Sequence, residues 1–163
     1  MRRFIESHLA SNQVARVVYG AIIGLALVVA LEAHPPPAGA VVASLLGTGV
    51  AVALAEVYSE TLGAEVRTHA RVEGERRRAI WADTLAVVFG VAFPAVFFVL
   101  AAAGAMEIAS AFDAAKWSGL GLIALYGFLA ARLSGATLGA AVVKSVAVAL
   151  IGAFLIALKA LAH

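Results

Sequence analysis

Val50–Glu65 reads VAVALAEVYSETLGAE, and the fold turns on how its two halves combine. The first half is unbroken apolar sequence. The second places Glu56 and Glu60 four residues apart before any turn signal, a spacing that puts both carboxylates on one helix face. An acid at the centre of a membrane helix costs about 2.5–3.5 kcal/mol on insertion scales. Two on one face therefore call for a partner or a function, provided that the helix lies in lipid.

Composition settles that proviso. Of 163 residues, 63% are hydrophobic and 13% charged, and the mean hydropathy is +0.99. A soluble domain has about 45–50% apolar and about 25% charged residues. The expected class is an all-α integral membrane protein. With no cysteine, disulfides, thiolate metal sites and cysteine nucleophiles are excluded. The net charge of +2 is unevenly spread beside apolar segments, which speaks for membrane topology rather than nucleic-acid binding.

Outward from Val50–Glu65, the chain divides into five expected spans, at about 14–31, 38–60, 80–106, 117–132 and 138–161, in one membrane domain. The opening MRRFIESHLASNQ suits a short interfacial helix or a frayed terminus equally. Val14–Leu31 exceeds the 7–15 residues of a signal-peptide core and is expected to be retained as span one. Its Gly20 and Gly24 allow close backbone approach, and Pro35–Pro37 end it. The helix of span two is expected to continue past the membrane as a charged inner segment over 61–79. Pro94, within span three, predicts a kink. Span four is short, framed by Lys116 and Arg132, both able to snorkel.

Basic residues set the expected orientation. Arg2, Arg3, Arg16, Arg67, Arg71, Arg76, Arg77, Arg78 and Arg132 all fall on one side of the five-span scheme, against Lys116 and Lys159 on the other. The N-terminus is thus expected inside and the C-terminus outside. Arg76, Arg77 and Arg78 are placed to meet anionic lipid headgroups.

Two constellations could carry chemistry. At about 1.5 Å of rise per residue, Glu56 and Glu60 lie roughly 16 and 10 Å inside the inner boundary, and Lys144 of span five roughly 13 Å. The matching depths predict a buried ion pair, or a lysine between two acids. That arrangement serves helix register or a proton or cation path, the remaining alternative being charges that snorkel toward the lipid surface. Glu65, His69 and Glu73, at i, i+4 and i+8, form a second stripe with the spacing of metal ligands. The arginines crowding that segment favour an exposed, charge-laced helix instead. His8, His34 and His163 have no spaced partner. No Ser-His-Asp set, phosphate loop or paired-acid pattern points to an enzyme, and no cofactor is required.

Five spans with a second helix reaching inward resemble the vacuolar iron transporter (VIT) family. GAIIGL at Gly20–Leu25 is similar to the family's Gly-Ala-Asn-Asp-Gly-Leu segment. SETLG at Ser59–Gly63 resembles its Ser-Met-x-x-Gly segment, and ARLSG with IGAFLIALKAL resembles its tail. The positions of the family's metal-facing Asp and Met hold Ile23 and Glu60 here. The family's larger Glu-rich insert is reduced to Glu65–Arg78. The resemblance implies a homodimer with its path at the two-fold axis and divalent metal ions as cargo. It marks Glu60 as metal-facing, while Gly20, Gly24, Gly63 and Pro94 are expected at helix-packing positions. The expected location is a prokaryotic plasma membrane, as a multi-pass protein with the cytoplasmic N-terminus that the basic residues indicate. The competing expectation is a scaffold or accessory subunit that has lost the metal site.

Overall fold

The computed structural model describes residues 2–161 and is built of six helices, with no strand among the described residues. They are α1 (Arg2–Glu32), α2 (Ala38–Thr68), α3 (Gly74–Ala92), α4 (Ala95–Ala102), α5 (Ile108–Leu133) and α6 (Leu138–Leu161). Helix is what apolar sequence must adopt in lipid, where every backbone donor needs an internal acceptor.

α1 is the central column. It packs chiefly on α3 and α5 and also meets α6 and α2. Its apolar stretch is 39% buried, against 17% for that of α2. The close α1–α3 contact follows from three glycines. A Cβ on Gly20 would lie 2.1 Å from the Val87 carbonyl oxygen, and one on Gly90 would lie 2.4 Å from that of Val17. The small residues in span one thus do what their spacing suggests, and Gly90 is their counterpart. Gly63 does not share this role: the nearest atoms to a Cβ there belong to Arg67, on its own helix.

One apolar cluster joins Val28, Val41, Leu45, Phe98 and Phe112, with the two phenylalanine rings edge to face at 4.8 Å. A second joins Ala21, Leu25, Val29 and Ile123. Ser145 of α6 donates to the Ala124 carbonyl of α5 at 2.6 Å, a polar tie between those helices.

Three boundaries differ from expectation. α1 is continuous from Arg2, with no separate surface helix ahead of the span. The segment 61–79 is not one helix: α2 stops at Thr68, His69 takes the left-handed conformation (φ 52°), and α3 starts at Gly74. A helix end there needs no proline, because one left-handed residue suffices to turn the chain away. α5 begins at Ile108, so the helix that carries expected span four starts well before Trp117, and Lys116 lies within it. The bend at Pro94 is as expected. α3 and α4 meet at 47°, since proline cannot donate to the Gly90 carbonyl.

Gly104 (φ 76°) and Gly135 (φ 82°) close α4 and α5. In each, the next residue's amide reaches back five residues, Ala105 to Leu100 and Ala136 to Ala131, the helix ending that favours glycine.

Among the described residues, Gln13–Glu32 of α1, α2 and α5 are each long and apolar enough to cross a bilayer. The bent α3–α4 pair makes a fourth if it crosses as one broken span, and α6 is apolar over Leu138–Phe154.

Candidate functional site

Glu56 and Glu60 stand on one face of α2, as their spacing requires, and both meet Arg16 of α1. Nη1 of Arg16 donates to Glu56 Oε2 at 2.5 Å, and Nη2 donates to Glu60 Oε1 at 2.7 Å. The guanidinium fork thus spans two carboxylates one helical turn apart, a fit that a lysine's compact ammonium cannot copy. The three side chains are 22%, 16% and 32% exposed, so water screens them only in part. Asp83 of α3, half-buried, adds a third negative charge that acts on Arg16. Arg16 supplies one positive charge against the two glutamates it binds, which leaves a formal −1 on the ion-paired set.

Lys144 is not the partner of these acids. It is exposed on α6 and borders a cavity of about 440 Å³ with Ala15, Val18, Gly127 and Ser134. At roughly 100° per residue, Ala15 and Val18 point away from the side of α1 that carries Arg16. Depth along the helix axis matched Lys144 to the acids, but depth carries no information about which side of α1 a helix occupies. Lys144→Met is therefore expected to shift the melting temperature in detergent by no more than about 2 °C, as for a substitution outside any paired network. A large drop would restore Lys144 to the charged cluster.

The proposed ligand stripe is not assembled either. Glu65 is half-buried and accepts from the Val72 amide at 3.4 Å, pinning the turn. His69 caps α2, and Glu73 stands at the N-terminal cap of α3. The break between them removes the helical register that would have aligned them. Among the described residues, no three imidazole or carboxylate groups converge on a point where one metal ion could sit. Glu60 belongs instead to the Arg16 cluster, apart from Glu65, His69 and Glu73.

A second charged tie lies toward the other end of α1. Lys116 Nζ of α5 meets Glu32 at 2.6 Å and Asp113 at 3.0 Å. Arg16 and Glu32 are 16 positions apart in α1, about 24 Å along the axis, within the roughly 30 Å of a hydrocarbon core. The central helix is thus clamped by charge near both ends of its apolar stretch.

Sequence reasoning used Arg16 only to orient the chain. Its signal was nonetheless present: it is the one basic residue inside Val14–Leu31. The start of one span and the end of the next share a level when the helices run antiparallel.

No family model, curated protein or solved structure matches the chain.

Proposed function

We propose that the protein is a VIT-like membrane carrier of divalent metal cations, coupled to protons, whose path passes Glu56 and Glu60. The observation that carries this reading is the charge imbalance of the cluster. A single register-fixing ion pair would be neutral, whereas one arginine bridging two glutamates leaves a net negative charge that attracts a cation. Loading the site requires Arg16 to release at least one carboxylate. The segments Gly20–Leu25 and Ser59–Gly63 support the family likeness.

The proposed topology has five crossings, α1, α2, α3 with α4, α5 and α6, with a cytoplasmic N-terminus in a prokaryotic plasma membrane. The charged ties support it. Arg16 meets Glu56 and Glu60 at what this topology makes the inner level, and Lys116 meets Glu32 at the outer one. Arg76, Arg77 and Arg78 then lie at the inner surface, where anionic headgroups concentrate. Homodimerisation through α2 is supported by an exposed apolar strip at Val50, Leu54 and Tyr58, which lie within about 80° of one another around the helix.

One observation favours the scaffold alternative: Arg16 already satisfies both glutamates. Proteoliposomes containing a pH-sensitive dye separate the readings. The carrier is expected to take up iron, manganese, zinc or cobalt with a proton signal, and Glu60→Ala to lower the rate at least roughly tenfold, as loss of a charged contact does. If the unaltered protein moves none of the four, the carrier is excluded and the scaffold remains.

A further inference from the structure

The turn between α2 and α3 holds a second charged feature that cation carriage does not use. Arg67 on the last turn of α2, Arg71 in the turn and Arg76 on the first turn of α3 border one cavity of about 570 Å³. That volume falls within the range of small-molecule pockets. Glu73 also borders it, so three guanidiniums and one carboxylate leave its lining at a formal +2.

The guanidiniums are available. Glu65–Arg78 contains three glutamates, yet among the described residues no carboxylate lies within ion-pair reach of Arg67, Arg71 or Arg76. Glu65 is turned to the Val72 amide instead. Thr68, also at the rim, spends its hydroxyl on the Ala64 and Ala70 carbonyls at 2.9 and 3.2 Å, so the arginines are the uncommitted side-chain donors among the lining residues. Like charges from three successive elements around one cavity repel unless an anion sits among them. The planar forks match the oxygens of a phosphate.

We propose that this cavity binds a phosphate-bearing anion, with Arg67, Arg71 and Arg76 as its ligands. The anion ties the end of α2 to the start of α3 across the helix break. The phosphate comes from a lipid headgroup or from free solution, and only the lipid source rests on the membrane reading above. Because the readout is binding rather than flux, failure here is distinct from failure of the carrier.

The test uses the full-length chain in neutral detergent. Phosphatidic acid, phosphatidylcholine and inorganic phosphate are titrated separately and followed by native mass spectrometry and thermal shift. The triple variant R67Q/R71Q/R76Q is compared with R77Q/R78Q, whose residues do not border the cavity. Arg71→Lys, which keeps the charge and loses the fork, is a milder third variant. Phosphatidic acid is expected to bind at least roughly tenfold more weakly to the triple variant, and only about threefold more weakly to R77Q/R78Q, which loses diffuse attraction to the headgroup but no cavity ligand. Phosphatidic acid binding in preference to phosphatidylcholine and inorganic phosphate assigns a lipid headgroup. Equal response to inorganic phosphate and phosphatidic acid assigns a free anion. No binding of either, or equal loss in both multiple variants, overturns the site and leaves only diffuse attraction to an anionic surface.

Discussion

Gly20→Ala is expected to separate α1 from α3 and to be among the most damaging single-methyl changes in the protein. The added carbon would stand 2.1 Å from the Val87 carbonyl oxygen and 2.9 Å from its carbon. Carbon–oxygen contacts in tightly packed backbones settle near 3.3–3.6 Å. The obstruction is main chain in the middle of a helix, so no side-chain rotamer relieves it, and the helices must move apart by about 1 Å. Overpacking of this kind costs about 1–3 kcal/mol. At the upper end, the melting temperature in detergent should fall by roughly 6–12 °C for a chain of this size. Gly90→Ala should behave alike from the other side, where Val17 oxygen and Ala21 nitrogen lie 2.4 and 2.5 Å from the new carbon. Gly47→Ala is the control: nothing lies within 4 Å of a Cβ there, and alanine is the better helix former by about 1 kcal/mol. If Gly20→Ala melts with the Gly47→Ala protein, the close α1–α3 approach is wrong.

The second large effect is expected at Arg16. Arg16→Met leaves Glu56 and Glu60 facing each other without their counter-charge. Breaking a buried pair from one side costs about 3–5 kcal/mol, and the residual exposure of these groups places the expectation near 3 kcal/mol. Arg16→Lys keeps the charge but reaches one carboxylate at a time, so an intermediate loss is expected. Removing the acids as well, in Arg16→Met/Glu56→Gln/Glu60→Gln, should recover most of the stability, because the cost lies in stranded charge rather than missing contacts. Thermal melts of the four proteins in one detergent decide the matter. If the triple variant is as unstable as Arg16→Met alone, Arg16 holds α1 to α2 by packing, and the electrostatic account of the cluster fails.

Both expectations bear on function. The Gly20–Gly90 contact sets α1 against α3, and the same two helices bring Arg16 and Asp83 to one level beside the glutamates of α2. Slackening that contact should loosen the charged cluster even though no charged residue is changed.

How much of this was legible beforehand depends on the kind of information involved. An apolar stretch such as Val14–Leu31 can only be helical in lipid, so the helices, the bend at Pro94 and the shared face of Glu56 and Glu60 follow from the chain itself. So does the level of each charge along its own helix, because rise per residue is constant. What the chain does not carry is rotation about each helix axis and the choice of neighbours. Depth put Lys144 level with the two glutamates but could not say on which side of α1 it lies, and in the fold it is Arg16 that meets them. The break at His69 was equally hidden, since a left-handed turn can occur without proline or glycine at that position. Gly90 looked like any small residue in a long span until Gly20 was packed against it. Tertiary structure decided these matters because rotation is set by which surfaces interlock. Here, three glycines let α1 and α3 touch backbone to backbone, and that contact turned Arg16, not Lys144, toward the acids.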